Sequence, residues 1–188
     1  MDTKDFFKIV ETKKKTSKIL AECKKLFSVW SYHNDEQLDK DFPPPKKITT
    51  RYFAKNVEAD EQYANKSAID LKKEGGDFIT LRERLLLELA YFRETSEHLD
   101  VKNITLCAGS RHADGYVPLV YWYSLGRELS VYWFHIGYSH PHLRARAAFL
   151  TLPTSKLVPL GEDLGLLERV KALEEWRERI TNVFNKVP

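Results

Sequence analysis

Three of the chain's six histidines fall close together, at His135, His140 and His142. His112 and Asp114 lie a short way upstream. Imidazole and carboxylate are both zinc ligands, and His140-Pro141-His142 can place two imidazoles on one side of an extended segment. Against that chemistry, the sequence holds no H-E-x-x-H and no C-x-x-C framework. It also holds no Ser-His-Asp spacing, no glycine-rich phosphate loop and no obvious carboxylate pair, so no catalytic residue is assigned. Cys107 reads as part of a buried strand and Cys23 as outside the main domain, so neither is offered as a nucleophile. The first reading is therefore a non-enzymatic binding protein without metal or cofactor. A metal-binding or enzymatic domain built on His135, His140 and His142 is the alternative.

The histidines sit in an aromatic neighbourhood, "YVPLVYWYSLGRELSVYWFHIGYSHPHLRARAAFL", Tyr116 to Leu150. Two pieces of it resemble each other, Val120–Tyr123 and Val131–Phe134. Side chains alternate across a strand, so residues two apart share a face. One face collects Val120 and Trp122 from the first strand and Leu129, Val131 and Trp133 from the second, which suits a core. The other collects Leu119, Tyr121 and Tyr123 with Ser130, Tyr132 and Phe134, which suits either a displayed surface or a second buried face. Tyrosine gives large contact area with few torsions to freeze and tolerates water at its hydroxyl. An exposed patch of this kind marks a binding site. The connection "SLGRE" has hairpin length, with Gly126 available for a positive φ.

The elements around this hairpin read as follows. Residues 18–30 place Ile19, Leu20, Cys23, Leu26, Phe27 and Trp30 on one helical face, with lysines as a solvated opposite face. Pro43-Pro44-Pro45 forbids helix and sets a boundary. Residues 58–73 are moderately helical and stop at Gly75-Gly76. Thr80 and Glu83 have capping-box spacing, and a helix over 80–97 follows. Residues 104–108 form a short strand, and "RARAAFLTLP" a further one ended by Pro153. An amphipathic helix over 163–185 docks on its own domain or supports self-association. The division is thus a helical extension at 1–42, a variable domain at 43–155 and a C-terminal helix at 156–188.

Composition sets the outer limits. With 43% hydrophobic and 30% charged residues, the 188-residue chain can bury a core and keep a soluble surface. A net charge of +3 is too small to argue for nucleic acid, although Arg111, Arg127, Arg144 and Arg146 are the candidates for it. No run reaches the roughly 18 apolar residues of a membrane span, and the N-terminus has no signal-peptide pattern. Two distant cysteines then read as reduced and buried, and the expected location is cytoplasmic.

The segments "ITLRERLLLELAYFRETSEHLD" and "ITLCAGSRHADGYVP", the pairs Val120-Trp122 and Val131-Trp133, and "LRARAAF" resemble variable proteins of diversity-generating retroelements. The resemblance covers about residues 75–150. It implies an α+β, C-type lectin-like fold with two core helices, one of them 80–97, and twisted antiparallel strands. It implies a ligand-binding surface over about 116–142, diversified by adenine-directed mutagenic retrohoming, with a variable partner, most simply a protein. Asparagine codons mutated at adenine become NNC or NNT, which cannot encode Trp, Gln, Met, Lys or Glu. The implied ligand-binding positions are Tyr116, Leu119, Tyr121, Tyr123, Ser124, Leu125, Ser130, Tyr132, Phe134, His135, Ile136, Tyr138, His140 and His142. All carry permitted types, whereas Trp122, Glu128 and Trp133 do not and fall at scaffold or turn positions.

Overall fold

The computed structural model describes residues 5–112 and 114–152. In chain order they form β1 (Phe6–Val10), α1 (Thr16–Lys24), β2 (Ser28–Ser31), α2 (Asp35–Asp41) and β3 (Thr50–Ala54). A 3-10 turn (Glu61–Tyr63), α3 (Ala68–Glu74), α4 (Leu81–Thr95) and β4 (Ile104–Leu106) follow, then β5 (Tyr116–Tyr123), β6 (Glu128–His135) and β7 (Leu143–Arg144).

Local chemistry fixes several of these ends. Asn34 caps α2 by accepting from the Gln37 amide. Ser67 with Asp70, and Thr80 with Glu83, form reciprocal capping boxes ahead of α3 and α4. Gly75 closes α3 at φ 72°, a region that costs glycine little. The expected helix over 58–73 is thus split into the 3-10 turn and α3. In the β5–β6 turn it is Arg127, not Gly126, that takes positive φ (52°). Gly126 is there for space, because a Cβ would lie 2.6 Å from the Tyr123 ring.

Among the described residues the main sheet has the order β2-β6-β5-β4-β7, and β1 pairs with β3 in a second, two-stranded sheet. β5 and β6 pair antiparallel with Val120 opposite Val131, Leu119 opposite Tyr132 and Tyr121 opposite Ser130. β2 joins β6, and β7 joins β4, in parallel. The architecture is α+β; the expected antiparallel strands are present as β4-β5-β6, but the parallel strands β2 and β7 at the edges make the sheet mixed. The segment after β7 continues extended, bridging Asp60, Phe78 and Tyr52 through Ala145, Ala147 and Phe149.

Two further expectations change. The segment 28–31 is a strand rather than the end of a helix: edge pairing with β6 supplies the backbone partners, overriding the helical spacing that had included Trp30. Residues 5–42 are not an extension. β1, α1, β2 and α2 belong to the same compact unit as residues 43–152, and Pro43–Pro45 connects elements inside it. Ile19, Leu20 and Cys23 of α1 pack with Leu81, Leu85 and Leu89 of α4 against Val120, Leu129 and Val131 of the sheet. The helices expected over 156–188 and 163–185 lie outside the described residues. No described helix is long and apolar enough to cross a membrane.

A buried ionic network ties α4, the loop after it and the β7 segment together. Asp100 is fully buried. It accepts from Arg84 Nε at 2.9 Å, from Arg146 Nη2 at 2.7 Å and from the Ala59 amide at 2.9 Å. Arg84 also donates to Glu88 at 2.7 Å, and Arg146 to the carbonyls of Asn56 and Val57. Burial pushes the Asp100 carboxyl up, but the guanidiniums of Arg146 and Arg84 outweigh it and hold the group below its usual range. Its stabilisation is therefore present above the ordinary carboxylate pKa, about 4, and is lost as pH falls through the lower folded value. Asp100→Asn leaves two buried guanidiniums short of an anion and should cost about 3–5 kcal/mol in chemical denaturation at neutral pH. Part of the parent's acid sensitivity should vanish in the variant. A loss under about 1 kcal/mol would show the network to be dispensable.

Candidate ligand-binding surface

The surface begins at this network. His98 Nδ1 lies 2.8 Å from Glu88 Oε1, and its ring stacks on Trp122 at 3.4 Å and 5°. Phe27 meets both rings edge-on, His98 at 5.0 Å and Trp122 at 6.3 Å. Held in this way, Trp122 fixes β5, and its neighbours Tyr121 and Tyr123 must point to the opposite side.

The expected positions do not all lie on that side, since Tyr116 and His135 share the strand parity of Val120 and Val131, and the fourteen are not uniformly displayed. Eight of the fourteen expected positions are exposed: Tyr116, Tyr123, Ser124, Leu125, His135, Tyr138, His140 and His142. Tyr121, Tyr132, Phe134 and Ile136 are half-buried against a second core built on Ala68, Leu71, Phe78, Leu106 and Val117. Leu119 and Ser130 are buried, which corrects their assignment to the displayed set. Leu119 belongs to that second core beneath α3. Ser130 sits on an interior strand between its larger register partners Trp30 and Tyr121. On the core side, Val120, Leu129 and Val131 are fully buried as expected. Trp133 departs from them: it is half-buried and stacks on His33 at 3.3 Å rather than joining the aliphatic cluster.

The displayed rings form a strip. Trp30 stacks on Tyr132 at 5.8 Å, Tyr132 meets Phe134 at 5.6 Å, and Phe134 meets Tyr138 at 4.2 Å. Tyr138 lies parallel to His140 at 6.4 Å, and His140 is 5.4 Å from His142. A hollow of about 350 Å³ opens beside the strip. Tyr121, Tyr123, Ser124, Leu125, His140 and His142 line it, together with Trp122 and residues 101–104. A hollow with apolar walls and a few convergent polar groups is the usual form of a small binding site.

Trp30 and Tyr32 were missed from sequence, because a helical reading of 18–30 hid the alternation that puts both on one strand face. Their exposures, 41% and 59%, now extend the strip. The histidines expected to cluster do not. His140 and His142 are neighbours, while His135 packs edge-on against Tyr116. The candidate nucleic-acid arginines do not form a stripe either. Arg146 is buried in the ionic network, Arg144 is half-buried, and Arg111 donates to the carbonyls of Ala108 and Ser110. Both cysteines are buried free thiols, and Cys23 lies in the same core cluster as Cys107, so it is not outside the domain. Burial pushes the Cys23 thiol up to about 12 and raises Cys107 further, which makes both poor nucleophiles. No family model, no curated protein and no solved structure matches the chain.

The division between covered and displayed positions has a thermodynamic signature. Leu125→Ala and His142→Ala should each shift the unfolding free energy by less than about 0.5 kcal/mol. Leu119→Ala and Leu129→Ala, on opposite faces of the sheet, should each cost about 2–5 kcal/mol. A silent Leu119→Ala in the same denaturation series would contradict a second core under α3.

Proposed function

We propose that this chain is a non-enzymatic ligand-binding protein whose displayed residues are exchanged by adenine-directed mutagenic retrohoming, on a C-type lectin-like scaffold, in the cytoplasm. One observation carries the reading. Six of the expected positions, Tyr121, Tyr123, Ser124, Leu125, His140 and His142, line one hollow, whereas Trp122 beside them, a type the codon scheme cannot write, is stacked on His98 as part of the scaffold. The segments that carry the resemblance to retroelement variable proteins also contain Arg84, Glu88, Asp100 and Arg146, the residues of the buried network. Two helices, α1 and α4, packed together on one face of a mixed sheet support the finer fold assignment.

The mechanism is recognition by large rings on a fixed backbone. Tyr123, Tyr138 and the half-buried Tyr121, Tyr132 and Phe134 provide contact area, and truncation of such aromatics dominates losses at interfaces. The ligand is a protein that differs between sibling sequences. The set open to exchange is narrower than the sequence suggested, because Leu119 and Ser130 are packed away.

The test is a comparison of DNA with binding. The gene should be accompanied by a reverse transcriptase and by a near-copy of the segment encoding 116–142, differing where the copy has adenine. A display library varied only at the eight exposed positions should yield folded binders to arbitrary protein targets. A locus with neither element, together with a library that yields none, would overturn the proposal.

A further inference from the structure

Three polar side chains that the binding reading does not use converge where β2, α2 and the β4–β5 loop end. His33 follows β2, Asp41 closes α2, and His112 lies ahead of β5. One ligand atom from each lies within 4.8 Å of the other two, and among the described residues this is the group of three so arranged. The Nε2 atoms of His33 and His112 are both buried and have no hydrogen-bond partner. His112 Nε2 is 2.6 Å from Asp41 Oδ2, but the two are not aligned for a hydrogen bond. Their side chains are 11% and 1% exposed. Buried lone-pair atoms crowded in this way need an explanation, and a shared cation supplies one.

The supports around the cluster fit that explanation. His112 Nδ1 is hydrogen-bonded to Asp114, an outer carboxylate that fixes the ring with Nε2 turned inward. Asp41 is held by Gln37 Nε2 at 2.6 Å. His33 is pinned flat on Trp133 at 3.3 Å. The His33 and His112 rings lie 20° from parallel with centroids 4.9 Å apart. Two imidazoles bound to one tetrahedral ion at about 2.0 Å put their centroids about 5 Å apart.

We propose that His33, Asp41 and His112 bind a divalent cation of the zinc class, with Asp114 as the residue positioning His112. This goes beyond the binding reading and does not depend on it. Two imidazole nitrogens and one carboxylate suit zinc or cobalt, not calcium or magnesium, which take oxygen shells. Three protein ligands leave a fourth position for water or for a donor atom of a bound molecule, the pattern of an open rather than a closed structural site.

The full chain, stripped with chelator, is titrated with Zn²⁺ by calorimetry and with Co²⁺ by visible absorption. The expected result is one equivalent bound, with the Co²⁺ bands of a tetrahedral site. His33→Phe keeps the ring on Trp133 but removes both nitrogens, and Asp41→Asn keeps an oxygen for Gln37. Each should lower affinity at least about 100-fold, and Asp114→Asn about 10–100-fold, with metal-free melting temperatures close to the parent's. The double variant His140→Ala, His142→Ala should bind as the parent does. No binding at micromolar metal would overturn the proposal. So would binding that survives both His33→Phe and Asp41→Asn, or binding that disappears with His140 and His142.

Discussion

A single buried carboxylate holds the architecture together. Asp100 is shut off from bulk solvent, and its charge is tolerable because guanidiniums from α4 and from the segment after β7 reach it together. Removing any one partner exposes the remaining charges to a low-dielectric interior, where they are expensive. The constraint is therefore geometric as much as energetic. The helix, the loop that carries Asp100 and the far end of the sheet cannot move independently. Glu88 extends the same logic to His98, and His98 to Trp122 by stacking, so the network reaches β5.

This arrangement explains how a surface can carry many large rings without the fold depending on them. The core between α1, α4 and the sheet includes no tyrosine of β5 or β6. The second core, beneath α3, takes in Leu119 fully and Tyr121, Tyr132 and Phe134 partly. Burial is thus graded rather than uniform across that face. Leu125, Tyr123 and the histidines are free at their tips, while Tyr132 and Phe134 must keep enough bulk to cover what lies under them.

Much of this was legible in the sequence where the signal is local. Thr80 and Glu83 mark the start of α4 to the residue, and the alternation through Val120, Leu129 and Val131 identifies the core face. What was lost depended on distant partners. Ser28–Ser31 becomes a strand because β6 offers it an edge, and no spacing within those residues announces that. Leu119 and Ser130 have the right parity for display but are buried, Leu119 in the core under α3 and Ser130 between larger register partners, which period-two reasoning does not see. Arg84, Glu88, Asp100 and Arg146 read individually as surface charges, and only their meeting in space makes them a core. His33 and Asp41 lie about 70 residues or more from His112 in the chain, so spacing gave no hint that they converge.

The central claim is that the ionic network and the aliphatic core carry the fold while the aromatic face does not. The most direct measurement is the unfolding free energy of a chain with Tyr116, Tyr123, Ser124, Leu125, His135, Tyr138, His140 and His142 all replaced at once by other residues of the NNC/NNT set. The account predicts a cooperative transition that keeps most of the parent's stability. Loss of the transition, or a cost as large as that of disrupting Asp100, would contradict it.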